Sequence, residues 1–246
     1  MLIVLLSLVL VGVSSKSLPP EIQKCRKSDP KLGDCLAKSV PDAAGRLKQG
    51  NKDLGIFPLE PLVIEKIEFG DSSGGAVGVR QVYENLKLFG ATNFTISDSE
   101  ADFGDENCYW RFKGHTDFVR MEADYKMTGK LLLFPINGKG KCNNTVYEYE
   151  GVYNIKCEKY TKKDQKHIRV TDFTLNLKPK RVVFGFENLV DGNEQLSNEV
   201  LKTINENSEQ VYADVAPAFN EAIGKYEKEV FNRVFSRVPE DELFLP

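Results

Sequence analysis

Apolar residues recur at every second position through the middle of the chain, and toward the C-terminus the spacing changes to three and four. The period-two pattern predicts strands over 63–69, 79–88, 93–98, 109–113, 118–134, 145–149, 153–160, 168–177 and 181–186, which together make a large antiparallel sheet. The segment 118–134 is well beyond the ~5 to 6 residues of an average strand. It carries Met121, Ala123, Tyr125, Met127, Leu131 and Leu133 on one parity, and Arg120, Glu122, Asp124, Lys126 and Lys130 on the other. Gly129 interrupts the pattern where a bulge or bend would let the sheet curl.

Past the sheet, Asp191-Gly192-Asn193-Glu194 has the form of a helix N-terminus. Leu196, Val200, Ile204, Val211, Val215, Phe219, Ile223, Tyr226, Val230, Val234 and Val238 then trace one helical stripe. A helix over 194–237 would be roughly 65 Å long. Pro217 is expected to kink or divide it, and Asn207 and Ser208 interrupt the stripe. At the other end, Pro19-Pro20 leads into a short helical pattern around Cys25 and Cys35 and Ala43 to Leu47. The run from Gly55 to Leu62 holds Pro58 and Pro61, which favour an extended course. No linker-like or repetitive segment divides 16–246, so one domain is expected.

Residues 1–15 are an apolar stretch ending in Ser14-Ser15, shorter than the ~20 apolar residues of a bilayer span. They read as a secretory signal peptide, cleaved after residue 15 or 17. In an oxidising compartment the five cysteines gain meaning. Cys25 and Cys35 can close a small loop. Cys142 and Cys157 flank an apparent hairpin turning near Glu150-Gly151 and would sit opposite each other; pairing Cys108 with Cys142 or with Cys157 is equally allowed. The sequons at Asn93 and Asn143 fit a secreted surface.

The 33 Lys and Arg against 36 Asp and Glu leave a net charge of −3, so nucleic acid and anionic membranes exert no long-range pull. The string Gly70-Asp71-Ser72-Ser73-Gly74 matches a nucleophile elbow and follows a predicted strand. It leads into glycines and an alternating pattern rather than the helix an elbow requires, and reads as a hairpin loop. Of the two histidines, His115 lies in a polar loop pattern and His167 follows the charged stretch Lys162 to Lys166, which looks like a solvated turn. No metal site, phosphate loop, calcium loop or cofactor is expected. What stands out is apolar inward-facing surface on long strands together with one long helical stripe.

Taken in order, several motifs resemble the takeout and juvenile-hormone-binding protein family of insects. They are Leu18-Pro19-Pro20 ahead of Cys25 and Cys35, the segment from Leu54 to Leu62, Gly90 with Asn93-Phe94, Tyr125, the run from Gly129 to Gly140, Phe186-Glu187-Asn188-Leu189, and the tail from Phe235 to Phe244. The resemblance implies an α+β fold in which a highly curved antiparallel sheet wraps a long helix around an elongated apolar tunnel. It also implies a Cys25–Cys35 disulfide and a secreted, extracellular carrier, in haemolymph or a similar fluid, of a terpenoid such as juvenile hormone, a fatty acid or a similar lipid. Strand parity places Met121, Tyr125, Met127, Leu131, Leu133, Tyr153, Ile155, Val182, Phe184, Phe186, Phe219 and Ile223 on inward faces. Tyr125 is the candidate polar anchor. The expected partners are an apolar small molecule and a cell-surface receptor, for a monomer with no nucleic acid and no stable membrane insertion. The alternatives are a secreted interaction protein with a packed core, and a lipid-ester hydrolase using Ser72.

Overall fold

The computed structural model describes residues 16–69 and 77–246; the leader 1–15 and the string 70–76, with Ser72, lie outside the described residues. Strand β1 (Cys25–Arg26) and helix α1 (Leu32–Arg46) precede β2 (Leu62–Phe69), β3 (Val77–Phe89), β4 (Thr95–Phe103), β5 (Asn107–Leu131), β6 (Phe134–Lys162) and β7 (Gln165–Val183). The chain ends with α2 (Glu194–Glu206), α3 (Ser208–Phe235), α4 (Glu240–Leu243) and β8 (Phe244–Leu245). The sheet runs β2-β3-β5-β6-β7, antiparallel throughout and not closed. Strands β3 and β4 share one edge of β5 in succession, β3 along 120–131 and β4 along 108–115.

At 25 and 29 residues, β5 and β6 would each extend on the order of 80 to 95 Å if straight. Their inward parity switches midway. Along β5 it passes from Trp110, Phe112 and Thr116 to Met121, Ala123, Tyr125 and Met127, and along β6 from Ile155 and Tyr153 to Asn144 and Cys142. Glu148, at the switch in β6, has φ 43°.

Periodicity breaks these strands where the structure does not. The expected turn at Glu150-Gly151 is continuous strand, with Gly151 paired to Gly114 across the β5–β6 ladder. Here glycine serves close packing: a Cβ on Gly151 would lie 2.6 Å from the Tyr153 ring, and one on Gly114 would lie 2.8 Å from it. The actual reversal joins Leu131 to Phe134 through Leu132-Leu133, with Leu132 at φ 52°. Two leucines carry no turn chemistry, so parity ran through them. Leu133, expected to face inward, is 83% exposed at the hairpin tip.

The C-terminal helix begins as expected, with Asn193 Oδ1 accepting from Leu196 N at 2.9 Å. It divides at Asn207 rather than Pro217. The Asn207 backbone N–H turns back to Thr203 O and Ile204 O, and its side-chain amide donates to Thr203 O. Helix α3 continues through Pro217, which forfeits one ladder hydrogen bond in a helix packed along β7. Gly224 permits that approach, because a Cβ there would stand 2.9 Å from Phe173 O.

The Cys25–Cys35 disulfide joins β1 to α1. The second bridge is Cys108–Cys157, between directly paired residues of β5 and β6. The expected Cys142–Cys157 pairing is thereby corrected: both residues lie on β6, about 50 Å apart along one strand, and Cys142 is a buried free thiol. Burial pushes that thiol up to about 12. His167 is also buried rather than in a solvated turn, its Nδ1–H donating to Phe235 O at 2.8 Å. The chain's ends are latched together. Strands β1 and β8 pair in parallel, and the buried Glu240 carboxylate meets Lys159 at 2.6 Å and Lys27 at 3.1 Å.

Candidate functional site: an internal cavity

The apolar interior divides into two clusters rather than one. One gathers Trp110, Phe112, Ile155, Phe173 and Leu175 around the Cys108–Cys157 bridge. The other gathers Val79, Tyr83, Met121, Tyr125, Met127, Val200 and Ile204 under α2 and the first half of α3. Where they meet, α3 and the sheet enclose a cavity of about 310 Å³, within the range of small-molecule sites.

The walls follow from strand register and helix period. Trp110, Phe112, Gly114 and Thr116 come from β5 before its parity switch, and Val119 and Met121 after it; Asn144, Val146, Tyr149 and Tyr153 come from β6. Phe112 and Tyr153 are cross-strand partners whose rings stack at 4.7 Å with an interplanar angle of 6°. Facing them on α3 are Tyr212, Val215, Phe219, Ile223, Tyr226, Glu227, Val230 and Phe231, spaced by threes and fours along one side. Val40 and Ala44 of α1, Leu62 of β2, Leu88 of β3, Leu177 and Val182 of β7, and Phe94 complete much of the enclosure.

A second void of about 30 Å³ lies toward the other cluster, lined by Tyr83, Met127, Leu131 and Phe186. It shares Asn144, Phe184, Val215 and Phe219 with the main cavity, so these residues form the partition. Phe219 is held there by Phe69, whose ring centroid is 4.6 Å away. Asn144 is fixed by accepting from Gly185 N at 3.0 Å. The interior is thus a main chamber and a pinched extension.

Of the residues expected to face a tunnel, Met121, Tyr153, Val182, Phe184, Phe219 and Ile223 line the main cavity, and Met127, Leu131 and Phe186 line the smaller void. Ile155 is packed in the first cluster. Tyr125 is corrected as polar anchor: its phenol donates to Glu187 O at 2.5 Å, beside the Phe186 ring, and lines neither space.

Apart from Tyr153, the polar residues of the chamber were not foreseen. Glu227 is the only acidic or basic residue among the described lining residues, and burial alone raises its carboxyl to about 7. Burial also raises the phenols of Tyr149 and Tyr153, and the charge of Glu227 acts on both. The hydroxyls of Thr116 and Tyr153 partly offset that rise at Tyr149. A sequence signal for Glu227 did exist: it stands four residues after Ile223 and three before Val230, a charge inside the apolar stripe.

A larger groove of about 1000 Å³ runs along β7 and α3, lined by Lys178, Lys180, Arg181, Lys225 and Lys228 among others. Charged side chains border it along its length, whereas the internal cavity has a single charged residue in its wall, so the cavity is the candidate site. Among the described residues no group of three His, Cys, Asp or Glu could hold a metal ion, and no helix is long and apolar enough to cross a membrane.

The family model described as haemolymph juvenile hormone binding protein (JHBP) matches residues 2–245. The chain is 24% identical over 237 residues to the circadian clock-controlled protein daywake of Drosophila yakuba, covering 94% of this chain and 90% of that protein. It is 26% identical over 237 residues to the protein of the same name from Drosophila melanogaster, with the same coverage. Among solved structures, Takeout 1 of Epiphyas postvittana matches with a TM-score of 0.78 at 22% identity, covering 92% of this chain and 100% of that one. The two share a fold.

Proposed function

The chain belongs to the haemolymph juvenile hormone binding protein family, and from that premise we propose that it is a secreted, non-enzymatic carrier that takes a hydrophobic small molecule into its internal cavity. The observation that carries this reading is the internal cavity of about 310 Å³, walled by aromatic and aliphatic side chains from the sheet, α1 and α3. An apolar molecule entering it is stabilised by about 25 cal/mol for each Å² withdrawn from water, less the cost of immobilising it. The apolar body of a terpenoid, fatty acid or similar lipid fits this chemistry.

Secretion is supported by the apolar leader 1–15, with cleavage after residue 15 or 17, and by two disulfides. Asn93 and Asn143 are exposed, as glycan acceptors must be. The carrier acts as a monomer, and delivery to a cell-surface receptor is part of the reading.

The test is native mass spectrometry of the protein secreted from insect cells, with extraction and identification of any molecule released on denaturation, followed by titration of the emptied protein with an apolar fluorescent probe. We expect saturable uptake of one probe per chain, displaced by lipids and weakened in Ile223→Trp, which fills the chamber. A protein that emerges empty and takes up neither probe nor lipid would remove the carrier reading.

A further inference from the structure

The chamber contains a charge with no answering charge. Among the described residues that line it there is no Lys, Arg or His, and one carboxylic acid, Glu227. No cation or hydrogen-bond donor among the described residues meets that carboxyl, and burial raises it. Its neighbours on α3, Lys225 and Lys228, belong to the outer groove. A buried carboxylate left unpaired is costly, whereas one that meets a donor is not. The phenols of Tyr149 and Tyr153 across the chamber feel the charge of Glu227 but make no hydrogen bond with it. The missing partner therefore has to arrive with the ligand.

Resting on the carrier reading above, we propose that Glu227 selects the polar end of the ligand, admitting an apolar molecule that ends in a hydrogen-bond donor, a hydroxyl or a protonated amine, and rejecting one that ends in an ionised carboxylate. A carboxylate head would enter beside Glu227 without any cation to neutralise either group. It could be accommodated only if the two acids shared a proton, which fails as the pH rises. A hydroxyl donates to Glu227 and can accept from a phenol in return. A protonated amine pairs with it directly, and the surrounding rings of Tyr149, Tyr153 and Phe112 suit a cation.

The other titratable groups facing the chamber are phenols, Tyr149 and Tyr153 from β6 and Tyr212 and Tyr226 from α3, all held above their ordinary value. Strands β2, β3, β5 and β7 and helix α1 contribute no titratable side chain to it. Glu227 is therefore the lining group that changes charge near neutrality.

The experiment is displacement of an apolar fluorescent probe by dodecylamine, dodecanol, methyl dodecanoate and dodecanoate, which share a chain length and differ in the head. At about pH 8, where the amine and the acid are both ionised, the amine and the alcohol should each displace the probe at least about tenfold more tightly than dodecanoate. Glu227→Gln should weaken the amine by about tenfold and bring dodecanoate close to the alcohol. In the unaltered protein, lowering the pH from about 8 to about 6 should strengthen dodecanoate and leave the ester unchanged; this arm decides the matter if the variant does not fold. The stronger of the amine and the alcohol identifies which donor the site prefers. Equal or tighter binding of dodecanoate at the higher pH, or an unchanged ranking in Glu227→Gln, would overturn the selectivity while leaving the carrier standing. Failure of all four compounds and the probe to bind would overturn both.

Discussion

Replacing Glu227 by Gln should make the empty protein more stable at neutral pH and leave it unchanged in acid. The carboxyl titrates near its ordinary value of 4.5 when unfolded and at about 7 when folded, because burial penalises the anion. The folded state therefore holds a proton that the unfolded state releases, and stability falls as the pH rises from about 4.5 to about 7. Below that window both states are protonated and the penalty is absent; above it the penalty is complete. The difference between these two values, at about 1.36 kcal/mol for each tenfold change in proton affinity, gives about 3 kcal/mol, an upper limit because water in the chamber would screen the charge. Gln mimics the protonated form at every pH. Urea unfolding of lipid-stripped protein at a series of pH values should show the two proteins level near pH 4 and the variant ahead by up to about 3 kcal/mol near pH 8. Parallel curves across the range, or a less stable variant at the upper end, would show that Glu227 is neither desolvated nor unpaired.

The partition and the latches give further outcomes. Phe219→Ala should cost about 3 to 5 kcal/mol in urea unfolding and, by joining the chamber to the void beyond it, shift the preference among straight-chain alcohols toward longer ones. Cys142 should resist a thiol reagent in the native protein, since burial raises its thiol to about 12, and unfolding without reductant should release one reactive thiol per chain; a different number would contradict the Cys108–Cys157 pairing. Glu240→Gln, which leaves the buried Lys159 ammonium without its carboxylate, should lose about 3 to 5 kcal/mol by denaturant titration. Lys27→Met, at the half-exposed rim of the same cluster, should lose under about 1 kcal/mol.

The fold was legible because its two periods are clean over long stretches. Alternation marked part of every main strand, and the stripe from Leu196 to Val238 marked the helices. Errors arose where a residue's chemistry served something other than its usual local purpose. Leu132 and Leu133 make a tight reversal without a single turn residue, so the alternation ran on and turned Leu133 inward. Pro217 was weighed as a helix breaker, but contact with β7 holds α3 through it while Asn207 ends α2. Tyr125 was correctly placed on an inward face, yet a parity argument does not show that a main-chain carbonyl, Glu187 O, lies within reach of its hydroxyl. Cysteine pairing depended on the strand assignment: once β6 is unbroken, Cys142 and Cys157 cannot meet.

The same misreadings bear on why there is a chamber at all. Gly114-His115-Thr116-Asp117 looked like a loop, and Glu150-Gly151 looked like a turn, because small and polar residues displaced the apolar ones that alternation requires. In the folded chain these two stretches are paired strand, and they lie opposite the middle of α3. Large side chains there would let the two core clusters close on each other. Glycines instead accept the Tyr153 ring against the backbone, and Gly114 and Thr116 offer little to fill the space in front of it. The inward parity switches just beyond, so the next residues to point in are Val119 and Met121, on the far side of the gap. Weakness of the strand pattern at these positions is therefore the trace the cavity leaves in the sequence. Glu227, set in the stripe of α3 that faces it, is its counterpart on the helix.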